Sequence, residues 1–269
     1  MSPEIVLEVL AAYVPEDRRQ AIARGETLPE RMRGVALFAD ISGFTPFTEA
    51  LVQQHGPQRG VEELTGHLEQ IYSALVQQIT TYRGSVIGYS GDAITCWFDQ
   101  DDGHRAVAAA LGMQQAMARR APVVFPSGRS VSLAVKVAMV AGTARRFLVG
   151  DPSIQVLDVL GGAIAERLAA AAQLVCSGEV LADAEIVRRL AGLLLVGEQR
   201  QTPAEEPFAL VAGLTAAVPP APWPAIPPGA LTAAQLRPWV LPAVYERIRR
   251  GHGQFLTELR PTVALFLRF

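Results

Sequence analysis

The sequence predicts an α+β fold built on a ferredoxin-like βαββαβ sheet. Three observations predict it. Apolar runs and helical stretches alternate in the order strand, helix, strand, strand, helix, strand. Two short β-type runs flank Ser90-Gly91-Asp92 and read as a hairpin. An apolar run also stops on an aspartate, Asp40, and turns at once into a helix. The chain has 269 residues, 50% of them hydrophobic, enough for one sizeable core with some chain to spare.

Residues 4–24 read as a helical lead-in broken around Pro15, and 34–40 as the first strand. Helical patterning follows at 45–54 and again at 60–82, where Val61, Leu64, Leu68, Ile71, Leu75, Val76 and Ile79 recur mostly at spacings of three and four. "GSVIGYSGDAITCWF" supplies the hairpin, and 102–120 an alanine-rich helix. Residues 130–150 read as two strands joined near Gly142, 154–159 as a short strand and 162–174 as a helix. A turn at Gly178, "EVLAD" and two strands near 193–197 and 207–212 complete the domain. In this topology the hairpin packs beside strand one, so Asp40 and Asp92 are expected to meet at one end of the sheet.

Four segments are expected: a lead-in over 1–32, the main domain over 33–213, a linker over 214–232, and a partial second copy over 233–269. "LTAAVPPAPWPAIPPG" is too proline-dense for helix or central strand and reads as a semi-rigid, extended linker. Beyond it the chain repeats itself. Val35-Ala36-Leu37-Phe38 returns as Val263-Ala264-Leu265-Phe266, and "VPEDRRQAIARG" is matched by "LPAVYERIRRG". Arg268 then stands in the place of Asp40, as if the chain stopped inside a second domain after its first strand. That strand, 262–269, is expected to be an exposed edge prone to aggregation.

The formal net charge is −2, and no basic face suggests a nucleic-acid binder. Lys136 is the only lysine. Cys96 and Cys176 have no metal-ligand spacing, make no disulfide framework and read as small buried hydrophobes. Glu4 and Glu8 interrupt the N-terminal apolar stretch, so no signal peptide is expected; nor is a membrane span, and a cytoplasmic location is.

A carboxylate at a strand end can be a helix cap. Two at one end of a sheet are costly unless something neutralises them, and a pair of divalent cations would. Magnesium takes one or two carboxylates with phosphate oxygens and water, and two such ions about 4 Å apart clamp the attacking and leaving oxygens of a phosphoryl reaction. Gly43 lets the backbone turn closely, and the N–H groups of Phe44, Thr45 and Phe47 begin a helix whose positive end attracts phosphate.

"FADISGFT" followed by "GSVIGYSGDAI" resembles the class III adenylyl/guanylyl cyclase catalytic domain. "HRAVAAALGMQ", "VKVAMVAGTA", "LDVLGGAI" and "CSGEVLAD" extend the resemblance over about 33–185, in the family's order. The resemblance implies the ferredoxin-like sheet with the additions of that family. It implies two Mg2+ or Mn2+ ions on Asp40 and Asp92, assisted by the Ile41 carbonyl, with Gly43, Phe44 and Thr45 lining the triphosphate. The implied reaction is ATP to cyclic AMP and pyrophosphate, in cyclic-nucleotide signalling.

The departures from the family pattern divide the roles. Its purine-selecting lysine falls at Gly88, and Lys136, on another strand, is not expected to replace it. Its transition-state asparagine and arginine fall at Ala165 and Ala169. Asp158 keeps the position of the purine-reading acid but reads equally as a turn residue. Arg167, two positions off, reads as a solvated helix arginine. The chain thus resembles the metal-bearing half of a two-domain cyclase, similar to soluble bicarbonate-responsive enzymes, whose other domain, in cis or in trans, supplies the missing groups. The isolated chain is then expected to be inactive. A non-catalytic pseudo-cyclase that binds nucleotide is the alternative. "GFTPF" and the D-x-x-G stretch argue against a palm-type sheet of polymerases or diguanylate cyclases.

Overall fold

The computed structural model describes residues 3–126, 128 and 130–251. The lead-in forms α1 (Pro3–Ala11) and α2 (Glu16–Arg24), and β1 (Arg31–Ser42) follows. Then come α3 (Phe44–His55), α4 (Pro57–Thr81), β2 (Ser85–Ser90), β3 (Ala93–Asp99) and α5 (His104–Ala118). A small ribbon, β4 (Val123–Val124) and β5 (Ser130–Val131), precedes β6 (Ala134–Asp151), β7 (Gln155–Gly161) and α6 (Ala163–Leu174). The remainder is β8 (Val180–Asp183), α7 (Ala184–Arg189), β9 (Leu194–Gln201), β10 (Pro207–Leu214), α8 (Ala233–Leu236), a 3-10 turn (Arg237–Trp239) and α9 (Pro242–Arg249).

The main sheet runs β2-β3-β1-β6-β8-β10-β9, with β7 paired to the far half of β6. Its first four strands, joined through α3–α4 and α5, are the expected βαββαβ unit. β1 is antiparallel to both neighbours, so its side chains alternate between two helical layers. Val35, Leu37, Ala39 and Ile41 face the α4–α5 side, where Ile71, Leu75 and Ile79 repeat every four residues along α4. Met32 and Ala36 face the other side, against Ile164, Leu168 and Ala171 of α6.

Several expectations are corrected. Residues 134–151 are one strand rather than two: Gly142 pairs with Gly34 of β1, and the strand runs on past the ladder to pair with β7. A glycine inside a ladder leaves no side chain and makes no turn. Cys96 is buried, and burial pushes its thiol up; Cys176 is exposed, because it begins the turn that follows α6. The proline-rich segment forms neither helix nor strand, and it is docked on the domain. Ala221 N donates to Thr81 O (2.9 Å), and Trp223 Nε1 donates to Gly84 O (2.9 Å). α8 and α9 fall in the segment that the sequence reads as a second lead-in; the strand expected over 262–269, with Arg268, lies outside the described residues. Among the described residues no helix is long and apolar enough to cross a membrane.

Candidate active site

β1 carries Asp40 to the end of its ladder, where it pairs with Ala93 of β3 on one side and Lys136 of β6 on the other. The hairpin between β2 and β3 turns at Gly91-Asp92, and Ile41 N donates to Asp92 O (3.2 Å). That bond fastens the hairpin tip to β1 one residue beyond Asp40, so the two aspartates adjoin. N–H and C=O of one strand residue point to the same edge, so the Ile41 carbonyl also faces the hairpin. From α4, the Tyr72 hydroxyl donates to Gly91 O (3.2 Å). Burial first, and then the charges of Asp92 and Asp40, push this phenol above its ordinary value.

Lys136 Nζ lies 3.0 Å from Asp40 Oδ2. Sequence alone places this lysine on a different strand from Gly88. It does lie on another strand, but the antiparallel register puts it opposite Asp40 on the same face of the sheet. It therefore stands beside Asp40 and does not fill the place of Gly88.

Helix α3 begins directly beyond β1. Gly43 is left-handed (φ 87°), and a Cβ there would sit 2.8 Å from Ser132 O. No side chain caps this helix. Of its first N–H groups, that of Phe47 is already used, donating to Gly43 O (3.2 Å), and Pro46 has none. The anion-facing donors are thus those of Phe44 and Thr45, fewer than the sequence suggested. Gly43→Ala should cost about 1–2 kcal/mol from the left-handed backbone alone. Urea unfolding should show this loss; an unchanged midpoint would mean that the turn relaxes freely.

The remaining positions lie elsewhere. Gly88 has open space at its Cβ position and lines a cavity of about 730 Å³ between β2, β7 and the lead-in. Ala165 and Ala169 lie on α6, half-buried and exposed. Asp158 is in strand β7 and not in a turn, opposite Leu148. Its carboxylate is fully buried between two arginines: Arg18 Nε donates to Oδ2 at 2.7 Å, and Arg146 donates to both oxygens. Arg146 also pairs with Asp17, whose N–H donates to Ser85 Oγ (2.9 Å). Burial alone would lower the Arg146 guanidinium, but Asp17 and Asp158 outweigh it and hold it above its ordinary value. Arg167 is tethered rather than solvated, donating to Ala141 O (3.0 Å) and Asp183 Oδ2 (2.8 Å).

The donor set at Asp40 and Asp92 suits a hard divalent cation that completes its shell with phosphate and water oxygens. Among the described residues no cluster of three or more His, Cys, Asp or Glu side chains could hold a metal ion, so such an ion would rest on these two carboxylates and the Ile41 carbonyl.

The chain has the fold of class III adenylyl/guanylyl cyclase catalytic domains. It superposes on the adenylyl cyclase CyaB from P. aeruginosa with a TM-score of 0.56 at 18% identity, over 68% of this chain and 94% of that one. The guanylate cyclase domain of RhGC from Catenaria anguillulae, solved in complex with GTP, gives a TM-score of 0.54 at 13% identity, over 70% of this chain and all (100%) of that one. No family model matches the chain. Adenylate cyclase type 10 of Homo sapiens and of Rattus norvegicus are each 34% identical over 90 residues, 32% of this chain. That match spans 5% of the length of these curated relatives.

Proposed function

We propose that this chain is the metal-bearing half of a class III nucleotidyl cyclase, which forms cyclic AMP and pyrophosphate from ATP once a second cyclase domain completes the site. The observation that carries the reading is the junction of Asp40 with the Asp92 hairpin, one turn from an uncapped helix N-terminus. Asp40, Asp92 and the Ile41 carbonyl would hold two Mg2+ or Mn2+ ions. Bound there, such ions lower the pKa of the ribose 3′-hydroxyl and neutralise charge on the α-phosphate under attack.

This chain's own residues do the positioning. The N–H groups of Phe44 and Thr45, with Gly43 holding the turn, orient the triphosphate at the positive end of α3. Lys136 balances Asp40 while that carboxylate is otherwise unengaged. With a cation held on Asp40, the Lys136 ammonium would be available to donate to a triphosphate oxygen. ATP as the substrate follows the resemblance and the adenylate cyclase relatives.

A non-catalytic nucleotide-binding module is the second reading. It is favoured by the absence of donors at Gly88, Ala165 and Ala169 and by the burial of Asp158. The two readings part on one experiment. The purified chain alone should make negligible cyclic AMP with magnesium or manganese. A homodimer would bring aspartates to both composite sites and no lysine, asparagine or arginine from these positions to either. Each lost charge-stabilising donor costs roughly 10²–10³ in rate. Activity should appear when a second domain carrying those three residues is added. Robust turnover by the chain alone would refute the half-site reading, and no turnover by the completed pair would favour the module.

A further inference from the structure

The lead-in helix α1 does not join either core of the main sheet. Its Leu10 and Ala11, with Val14, form a separate core with Leu236, Trp239, Val240 and Ile248. Only Val156 of β7 enters that core from the sheet among its buried members. The partners are the second lead-in, so two copies of one sequence element pack on each other. A proline marks the start of both second helices, Pro15 just before α2 and Pro242 as the first residue of α9, and both are followed by a left-handed glycine, Gly25 (φ 68°) and Gly251 (φ 83°).

The second lead-in is well formed locally. Thr232 and Gln235 make a capping box, and the Arg237 guanidinium lies 4.8 Å from the centre of the Tyr245 ring. It is also tied to the first domain on its way. Gln20 Nε2 donates to Pro224 O (2.8 Å), and Gln155 Nε2 donates to Trp239 O (3.2 Å). A nine-residue helix such as α1 is not stable alone in water, so the apolar side it presents needs this cover.

We propose that residues 215–251 form a clasp. The second lead-in holds the first one in place against β7. The proposal rests on the packing of the two lead-ins and stands apart from the reading of a second cyclase domain. The Asp17 bond to Ser85 then links the clasped lead-in to β2, the strand that leads to the Asp92 hairpin.

The test uses the full chain with a protease site inserted in the exposed stretch 227–229, beyond the docked proline-rich residues. After cleavage, the two pieces should elute together on gel filtration, because the core and not the covalent linker holds them. Leu236→Asp, which places a charge in that core, should make the cut pieces separate while the uncut variant keeps the near-ultraviolet circular dichroism of a folded sheet. Separation of the unsubstituted pieces would overturn the clasp, as would co-elution of the Leu236→Asp pieces. Loss of the folded sheet in uncut Leu236→Asp would also overturn it, since the segment would then belong to the domain's own core. No nucleotide enters this assay, so its failure leaves the catalytic reading standing. Inactivity of a completed pair with pieces that co-elute would count against the catalytic reading alone.

Discussion

Arg146→Ala should destabilise the fold by about 3–5 kcal/mol, the cost of removing one partner from a buried ion network. Arg146, Asp17, Arg18 and Asp158 balance two charges of each sign, each residue less than a tenth exposed. Removing the guanidinium leaves Asp17 without its arginine and Asp158 with Arg18 alone. Arg18→Ala should cost less, because Asp158 keeps Arg146. Urea unfolding of the two variants measures the difference. A loss below about 1 kcal/mol for Arg146→Ala, the range of an exposed pair, would mean that water enters this network. A loss no greater than that of Arg18→Ala would mean that Arg146 is not its centre.

What the sequence revealed and what it concealed follow from the range of the forces involved. Asp40, Gly43 and Asp92 were legible because each sits in a short stretch whose local chemistry is self-explanatory: a strand end, a left-handed turn, a hairpin tip. The topology then brought them together without any knowledge of side chains. Lys136 was not legible as a neighbour of Asp40, since only strand register sets that pairing, and register is fixed by the whole ladder of β1 and β6. The ion network escaped for the same reason. Arg146 and Asp17 lie far apart in sequence, and an arginine inside an apolar arm looks the same whether it meets water or a buried carboxylate. Gly142 misled because glycine marks a turn in one setting and a ladder position in another; its partner Gly34 decides which. The second lead-in was visible as a repeat, but nothing local told that it would fold back on the first.

Two unpaired carboxylates at one end of a sheet repel, so neutralising either would by itself stabilise the metal-free protein. The ion pair of Asp40 with Lys136 removes that expectation for Asp40. Asp40→Asn should instead change stability by no more than about 1 kcal/mol, since the pair is partly exposed. Asp92→Asn should leave the fold intact as well, because its link to Ile41 is made by the backbone. Loss of activity in either variant will therefore report on the site and not on folding, provided that thermal melts are run alongside.

The most direct test is the rate of cyclic AMP formation by this chain completed with a second domain that carries the lysine, asparagine and arginine. Asp40→Asn and Asp92→Asn should each lower that rate by at least roughly 10²–10³-fold, as removal of one charge-stabilising group does elsewhere. Both variants should melt close to the unsubstituted chain. Full activity surviving Asp40→Asn would contradict the account: the carboxylate at the end of β1 would then hold no catalytic ion, and the domain would have to be read as a regulatory partner.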